Sequence, residues 1–184
     1  MGEHCKITTC EDPSTYDYSV YGKKNLGIDE VVELLKMPQK YRLEGCELDL
    51  QHNFVDNLMD ICKGLNLCPP KYVFEQKRYD SECIGFSIIT DVIVKHTDNT
   101  LTIFERKKAS KNHPHTGPVE QMKGIGQCLL YKNVYEALME SPVRVALVDE
   151  KIHPRTFLAF SGFKLPITLI EYQYDHVFVP YNGW

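Results

Sequence analysis

The chain has 184 residues, 43% of them hydrophobic and 25% charged, with a formal net charge of −4. This is an ordinary globular composition, long enough for one domain and a small appendage. It excludes a disordered or collagen-like chain and any run near the ~20 apolar residues of a membrane helix. The first ten residues, MGEHCKITTC, lack the basic and apolar regions of a secretory leader. Seven cysteines, an odd number without regular spacing, read as reduced thiols in an intracellular setting, a cytoplasm or the interior of a virus-infected host cell. Neither Cys5 with Cys10 nor Cys62 with Cys68 has the C-x-x-C spacing of a structural zinc site.

In chain order, residues 1–40 read as an N-terminal extension or small cap and 41–184 as the main domain. Ile28 to Met37 forms an amphipathic pattern between Gly27 and Pro38. Glu47 to Leu65 is the first long helix expected. Leu50, Phe54, Leu58, Ile61 and Leu65 recur on one face of it. Cys68-Pro69-Pro70 breaks it, and Tyr72 to Tyr79 reads as a strand. Cys83 to Val94 and Leu101 to Lys107 are two more strands, and the polar segment His96 to Thr100 between them predicts a hairpin. Lys108 to Pro118 is a polar, basic loop. Val119 to Glu140 is a helix, with Met122, Ile125, Leu129, Leu130, Val134 and Leu138 expected on its buried side. Val143 to Val148 follows as a buried strand, which makes a strand–helix–strand crossover natural. Ile167 to Tyr174 is another strand, Val177 to Val179 extends the sheet, and Phe157, Phe160 and Phe163 are expected to cover its edge or core. The fold class is α/β, a mixed central sheet flanked by helices.

Chemistry concentrates between residues 82 and 131. In a strand over Leu101 to Lys107, alternate side chains share a face, so Glu105 and Lys107 stand side by side. Asp91 interrupts the apolar run Ile88, Ile89, Val92, Ile93, Val94. The hairpin brings Asp91 and Glu105 together across the ladder. Two close carboxylates repel unless a cation lies between them, and a hard divalent ion with oxygen ligands, Mg²⁺ or Mn²⁺, fits. The Arg106 backbone carbonyl offers another ligand. Lys107 then orients or deprotonates an attacking water and offsets charge on a phosphorane-like transition state. Gln127 and Tyr131 are four residues apart and share a helix face, while Gly124 and Gly126 permit close approach to a sheet.

The order Asp91, Glu105-x-Lys107, Gln127-x-x-x-Tyr131 resembles the PD-(D/E)XK nuclease superfamily, and most of all its RecB-type exonuclease branch. Thr90 stands where the family motif has proline. The resemblance implies a restriction-endonuclease-like αβββαβ core and catalytic roles for Asp91, Glu105 and Lys107. It also implies a further metal ligand from the helix before the hairpin, for which His52 is the first candidate and Glu47 the second. Some members of that branch carry an iron–sulfur cluster on late cysteines. No cysteine follows Cys128 here, so that cluster is not expected.

Between Glu105 and Lys132 there are six basic residues and two acidic ones, a local balance of +4 against −8 for the rest. Lys108, Lys111 and Lys123 are therefore candidate phosphate contacts, with Gln127 and Tyr131 as substrate-binding or site-supporting residues. The reading is a divalent-metal nuclease, exo- or endonucleolytic, acting on nucleic acid, with DNA preferred to RNA. Its rivals are a non-catalytic nucleic-acid-binding protein on a nuclease-like fold and an RNA endonuclease. The oligomeric state is open.

Overall fold

The computed structural model describes residue 29 and residues 53–80, 87–107, 117–139, 141–173 and 176–184. Their elements are α1 (Leu58–Gly64), β1 (Pro70–Asp80), β2 (Ser87–His96), β3 (Leu101–Arg106), α2 (Gly117–Met139), β4 (Val143–Asp149), α3 (Pro154–Phe163), β5 (Thr168–Gln173) and β6 (His176–Tyr181). The strands form one six-stranded sheet in sequence order. β1–β2 and β2–β3 pair antiparallel, β3–β4 and β4–β5 are parallel, and β6 returns antiparallel on β5. The sheet is therefore mixed, and the expected crossover from β3 through α2 to β4 is present.

Strict alternation along the central strands builds two cores. Ile93, Ile103, Val145 and Leu147 face Ile125, Tyr131, Val134 and Leu138 of α2. Val92, Val94, Phe104, Ala146 and Val148 face the other way, onto Phe54, Leu58 and Ile61. Phe54 sits edge-on to both Phe104 and Tyr172, with ring centres 5.4 and 5.3 Å away. Strands buried on both faces explain the nearly unbroken apolar runs of β3 and β4. Four members of the predicted stripe, Phe54, Leu58, Ile61 and Leu65, are buried as expected. No helix among the described residues is long and apolar enough to cross a membrane. The described cysteines Cys62, Cys68 and Cys128 are free thiols.

The β2–β3 hairpin closes as its sequence predicts. Asn99 adopts φ 66°, and the Asp98 carboxylate accepts from the Thr100 amide and hydroxyl at 3.0 and 2.7 Å. A polar turn with one left-handed residue is a standard three-residue hairpin loop.

Two expectations are corrected. The three phenylalanines expected to cover the sheet's edge or core lie on the helix α3. His153 caps it by accepting from the Arg155 amide at 3.2 Å, Pro154 occupies its first turn, and left-handed Lys164 ends it. Of the three phenylalanines, only Phe160 is core, while Phe157 and Phe163 are exposed. On α2, Met122 and Leu130 are exposed, whereas Gln121, Gly124, Cys128, Tyr131 and Tyr135 are buried. A polar residue can occupy the inner face when its bonds are satisfied there. Gln121 donates to Asp149 and the Lys151 carbonyl, both at 2.8 Å, and accepts from His153 and Thr156.

Candidate active site

The carboxylates meet where β2 and β3 stop pairing. The last cross-strand pair is Val92 with Phe104, so Asp91 falls opposite Glu105. Glu105 lies on the α2 face with Leu101 and Ile103. Arg106 turns to the other face, where its guanidinium lies 5.6 Å from the Phe54 ring centre. Lys107 is tied to β4 by its N–H, which donates to the Val148 carbonyl at 2.8 Å. Its side chain returns to Glu105, and Nζ donates to Oε1 at 2.6 Å.

Asp91 is gripped on both oxygens. The Arg106 backbone N–H donates to Oδ2 at 2.8 Å and the Gln76 side-chain amide donates to Oδ1 at 3.0 Å. In a strand a residue's N–H and C=O project to the same side. The Arg106 carbonyl therefore points toward β2, the side on which Asp91 lies.

Glu105 is the anomaly. Its side chain is 2% exposed, yet among the described residues no hydrogen-bond donor reaches Oε2. Burial, followed by the charge of Asp91, pushes its carboxyl up to about 8, with Lys107 pulling the other way. A buried carboxylate oxygen without a partner is costly, and buried charges are found paired or on metals. Either a proton or a cation completes this arrangement. Lys107 is pulled down by burial, but the Glu105 charge and hydrogen bond outweigh this and hold it above its ordinary value. With a carboxylate 2.6 Å away it is a cation here.

Helix α2 supports the site from behind. Gly124 faces the Lys107 stem, and a Cβ built there would lie 3.0 Å from Lys107 Cγ and 2.6 Å from Leu147 Cδ1. Only glycine leaves that room. Gly126 faces open space, so the close approach expected of both glycines belongs to Gly124 alone. Tyr131 is 2% exposed, and its hydroxyl donates to the Ile89 carbonyl at 2.6 Å, two residues before Asp91. Gln127 donates to that hydroxyl at 3.1 Å. Burial and then the Glu105 charge push the Tyr131 phenol up, so it stays neutral. These two residues brace the backbone of β2 rather than bonding the carboxylates themselves. Cys128, wholly buried, lies close enough to Glu105 and Lys107 to feel both charges.

The remaining candidates separate. His52, Glu47, Lys108 and Lys111 lie outside the described residues. Lys123 is on the outer face of α2, paired with Glu120 at 2.6 Å. Lys132 bonds the Val143 carbonyl at the far end of the sheet, so neither Lys123 nor Lys132 joins Lys107 at Glu105. Among the described residues, no three His, Cys, Asp or Glu side chains converge to cage a metal. A hard cation, if bound here, would find Asp91, Glu105 Oε2 and the Arg106 carbonyl as oxygen ligands and would need water or substrate to complete its shell. Gln76 escaped the sequence reading, because only the β1–β2 register reveals that it stands opposite Asp91.

No protein-family model matches the chain, and no curated protein matches it. Among solved structures, the chain is similar to a repair endonuclease from Pyrococcus abyssi, with 15% identity and a TM-score of 0.43 over 70% of this chain and 47% of that one. It is also similar to EndoMS in a complex with double-stranded DNA, with 14% identity and a TM-score of 0.42 over 74% of this chain and 48% of that one. The chain spans about half the length of each.

Proposed function

We propose that this chain is a divalent-metal-dependent nuclease that hydrolyses phosphodiester bonds, with DNA as its substrate. The observation that carries the reading is the buried Glu105 carboxyl beside Asp91, whose Oε2 meets no donor among the described residues, with Lys107 held on the other Glu105 oxygen. A purely structural Glu–Lys pair has no need of a second carboxylate, the half-buried Asp91, opposite it. The resemblance of Asp91, Glu105-x-Lys107 and Gln127-x-x-x-Tyr131 to the PD-(D/E)XK pattern supports the same reading.

Asp91, Glu105 and the Arg106 carbonyl would hold Mg²⁺ or Mn²⁺. Such an ion, when bound, polarises a phosphoryl oxygen and makes its water a better nucleophile. Glu105 is shared between the cation position and Lys107. Lys107, a cation, orients water and offsets charge developing on the phosphoryl oxygens; it does not take up a proton. Gln127 and Tyr131 hold the β2 backbone that carries Asp91.

The test is a cleavage assay on linear duplex, circular single-stranded DNA and RNA, with Mg²⁺, Mn²⁺ or EDTA, using wild type beside Asp91→Ala. Metal-dependent cutting that disappears in the variant is expected, and the circular substrate distinguishes endonucleolytic from exonucleolytic action. A duplex shifted without cutting, insensitive to EDTA, would replace this reading with a binding protein.

A further inference from the structure

Gln76 has φ 49°, a left-handed conformation inside strand β1. The ladder around it does not slip: Glu75 pairs with Val92 and Lys77 with Thr90. The distortion is therefore confined to the residue opposite Asp91. A residue with a side chain is strained in this region, and such strain persists where the surroundings impose it. Neither a turn nor a bulge at Gln76 calls for it. What the residue does make there is a hydrogen bond from its amide to Asp91 Oδ1 at 3.0 Å.

We propose that Gln76 is a positioning residue of the site, fixing the Asp91 carboxylate for cation binding. With the Arg106 N–H on Oδ2, the Gln76 amide on Oδ1 fixes the plane of the carboxylate from both sides. The carboxylate is thus held in place opposite Glu105 before any ion arrives. Donors that orient a metal-binding carboxylate typically contribute about 10–100-fold to metal affinity. The inference rests on the reading of Asp91 and Glu105 as cation ligands.

The experiment is calorimetric titration of Mn²⁺ into the full chain, with thermal unfolding in EDTA measured beside it. Gln76→Gly removes the amide and suits the left-handed backbone. Gln76→Met keeps the bulk and the strain but has no amide, so a folding defect in either variant leaves the other to decide. Expected is Mn²⁺ binding about 10-fold weaker in both variants. Gln76→Gly should also unfold no lower than wild type, a combination that a merely structural residue would not produce. If both variants bind Mn²⁺ as wild type does while Asp91→Asn abolishes binding, the role of Gln76 is overturned and the nuclease reading stands. If wild type binds no Mn²⁺, both fall.

Discussion

The two ends of the β2–β3 hairpin both bury polar side chains, and they differ in how those groups are satisfied. At the turn end, His96 is fully buried and both ring nitrogens are bonded. Nδ1 lies 2.6 Å from the Cys68 carbonyl, which can only accept, so Nδ1 carries the proton and Nε2 accepts from the Thr102 hydroxyl at 2.8 Å. Arg144 reaches Thr100 at 2.9 Å nearby. At the opposite end Glu105 is as deeply buried, but one oxygen is without a donor among the described residues and a second carboxylate faces it. A closed polar network stabilises and specifies a fold. An open one forgoes stability at a place where a ligand can complete it.

The largest expected effects fall on the open end. Lys107→Ala should lower cleavage by about 100- to 1,000-fold, the usual loss when one transition-state donor is removed. Glu105→Gln should abolish metal-dependent cleavage, yet in EDTA its unfolding free energy should match or exceed that of wild type by about 1 kcal/mol, since a buried like-charge contact is relieved. Loss of both activity and stability in Glu105→Gln would make that end structural and erase the contrast.

At the closed end the signs reverse. His96→Ala should cost about 2–4 kcal/mol in denaturant unfolding, because the Cys68 carbonyl and the Thr102 hydroxyl lose their partner in the interior. The cleavage rate of the folded fraction should stay unchanged. The same histidine gives a pH signature. Burial lowers its folded-state value below the ordinary 6.5, against the opposing pull of the Cys68 carbonyl and Asp98. The unfolded chain therefore takes up the proton first. The stability contributed by neutral His96 is fully present above about pH 6.5 and is lost as pH falls toward the lower folded value, with a slope of at most about 1.4 kcal/mol per pH unit. Comparing wild type with His96→Gln between pH 7 and 5 isolates this slope, and equal slopes would show that His96 is not held neutral.

The smallest effects compare two glycines two positions apart. Gly126→Ala adds a methyl in open space and should stabilise α2 by about 0.5–1 kcal/mol. Gly124→Ala gains the same helix propensity but presses on Leu147 and Lys107, so it should destabilise by about 1–2 kcal/mol net. It should also reduce cleavage by displacing Lys107. Equal unfolding midpoints for the two variants would mean that α2 is not seated on the Lys107 stem.

Several features were legible from residue order. Alternation and a polar turn were enough to join Asp91 with Glu105 and Lys107, because the period of a strand assigns each residue a face and a hairpin fixes the register. Other features were not legible. Hydrophobic spacing put Met122 inside α2 and left Gln121 out, because it weighs side-chain polarity and is blind to partners that arrive from Asp149, His153 and Thr156. The helix over Pro154–Phe163 was signalled only by Pro154 at its start and Pro166 beyond its end.

By itself, the sequence determined the alternating strands, the hairpin and the local pairing of chemistry within it, since these depend on periods and turns spanning a few residues. The tertiary structure decided what distant segments contribute. It set Gln76 opposite Asp91, placed Gly124 against Lys107, drew Lys123 and Lys132 away from the site, and left Glu105 Oε2 without a donor among the described residues. Each of these depends on which surfaces pack together, and packing is set by the whole sheet and its helices rather than by any local run of residues.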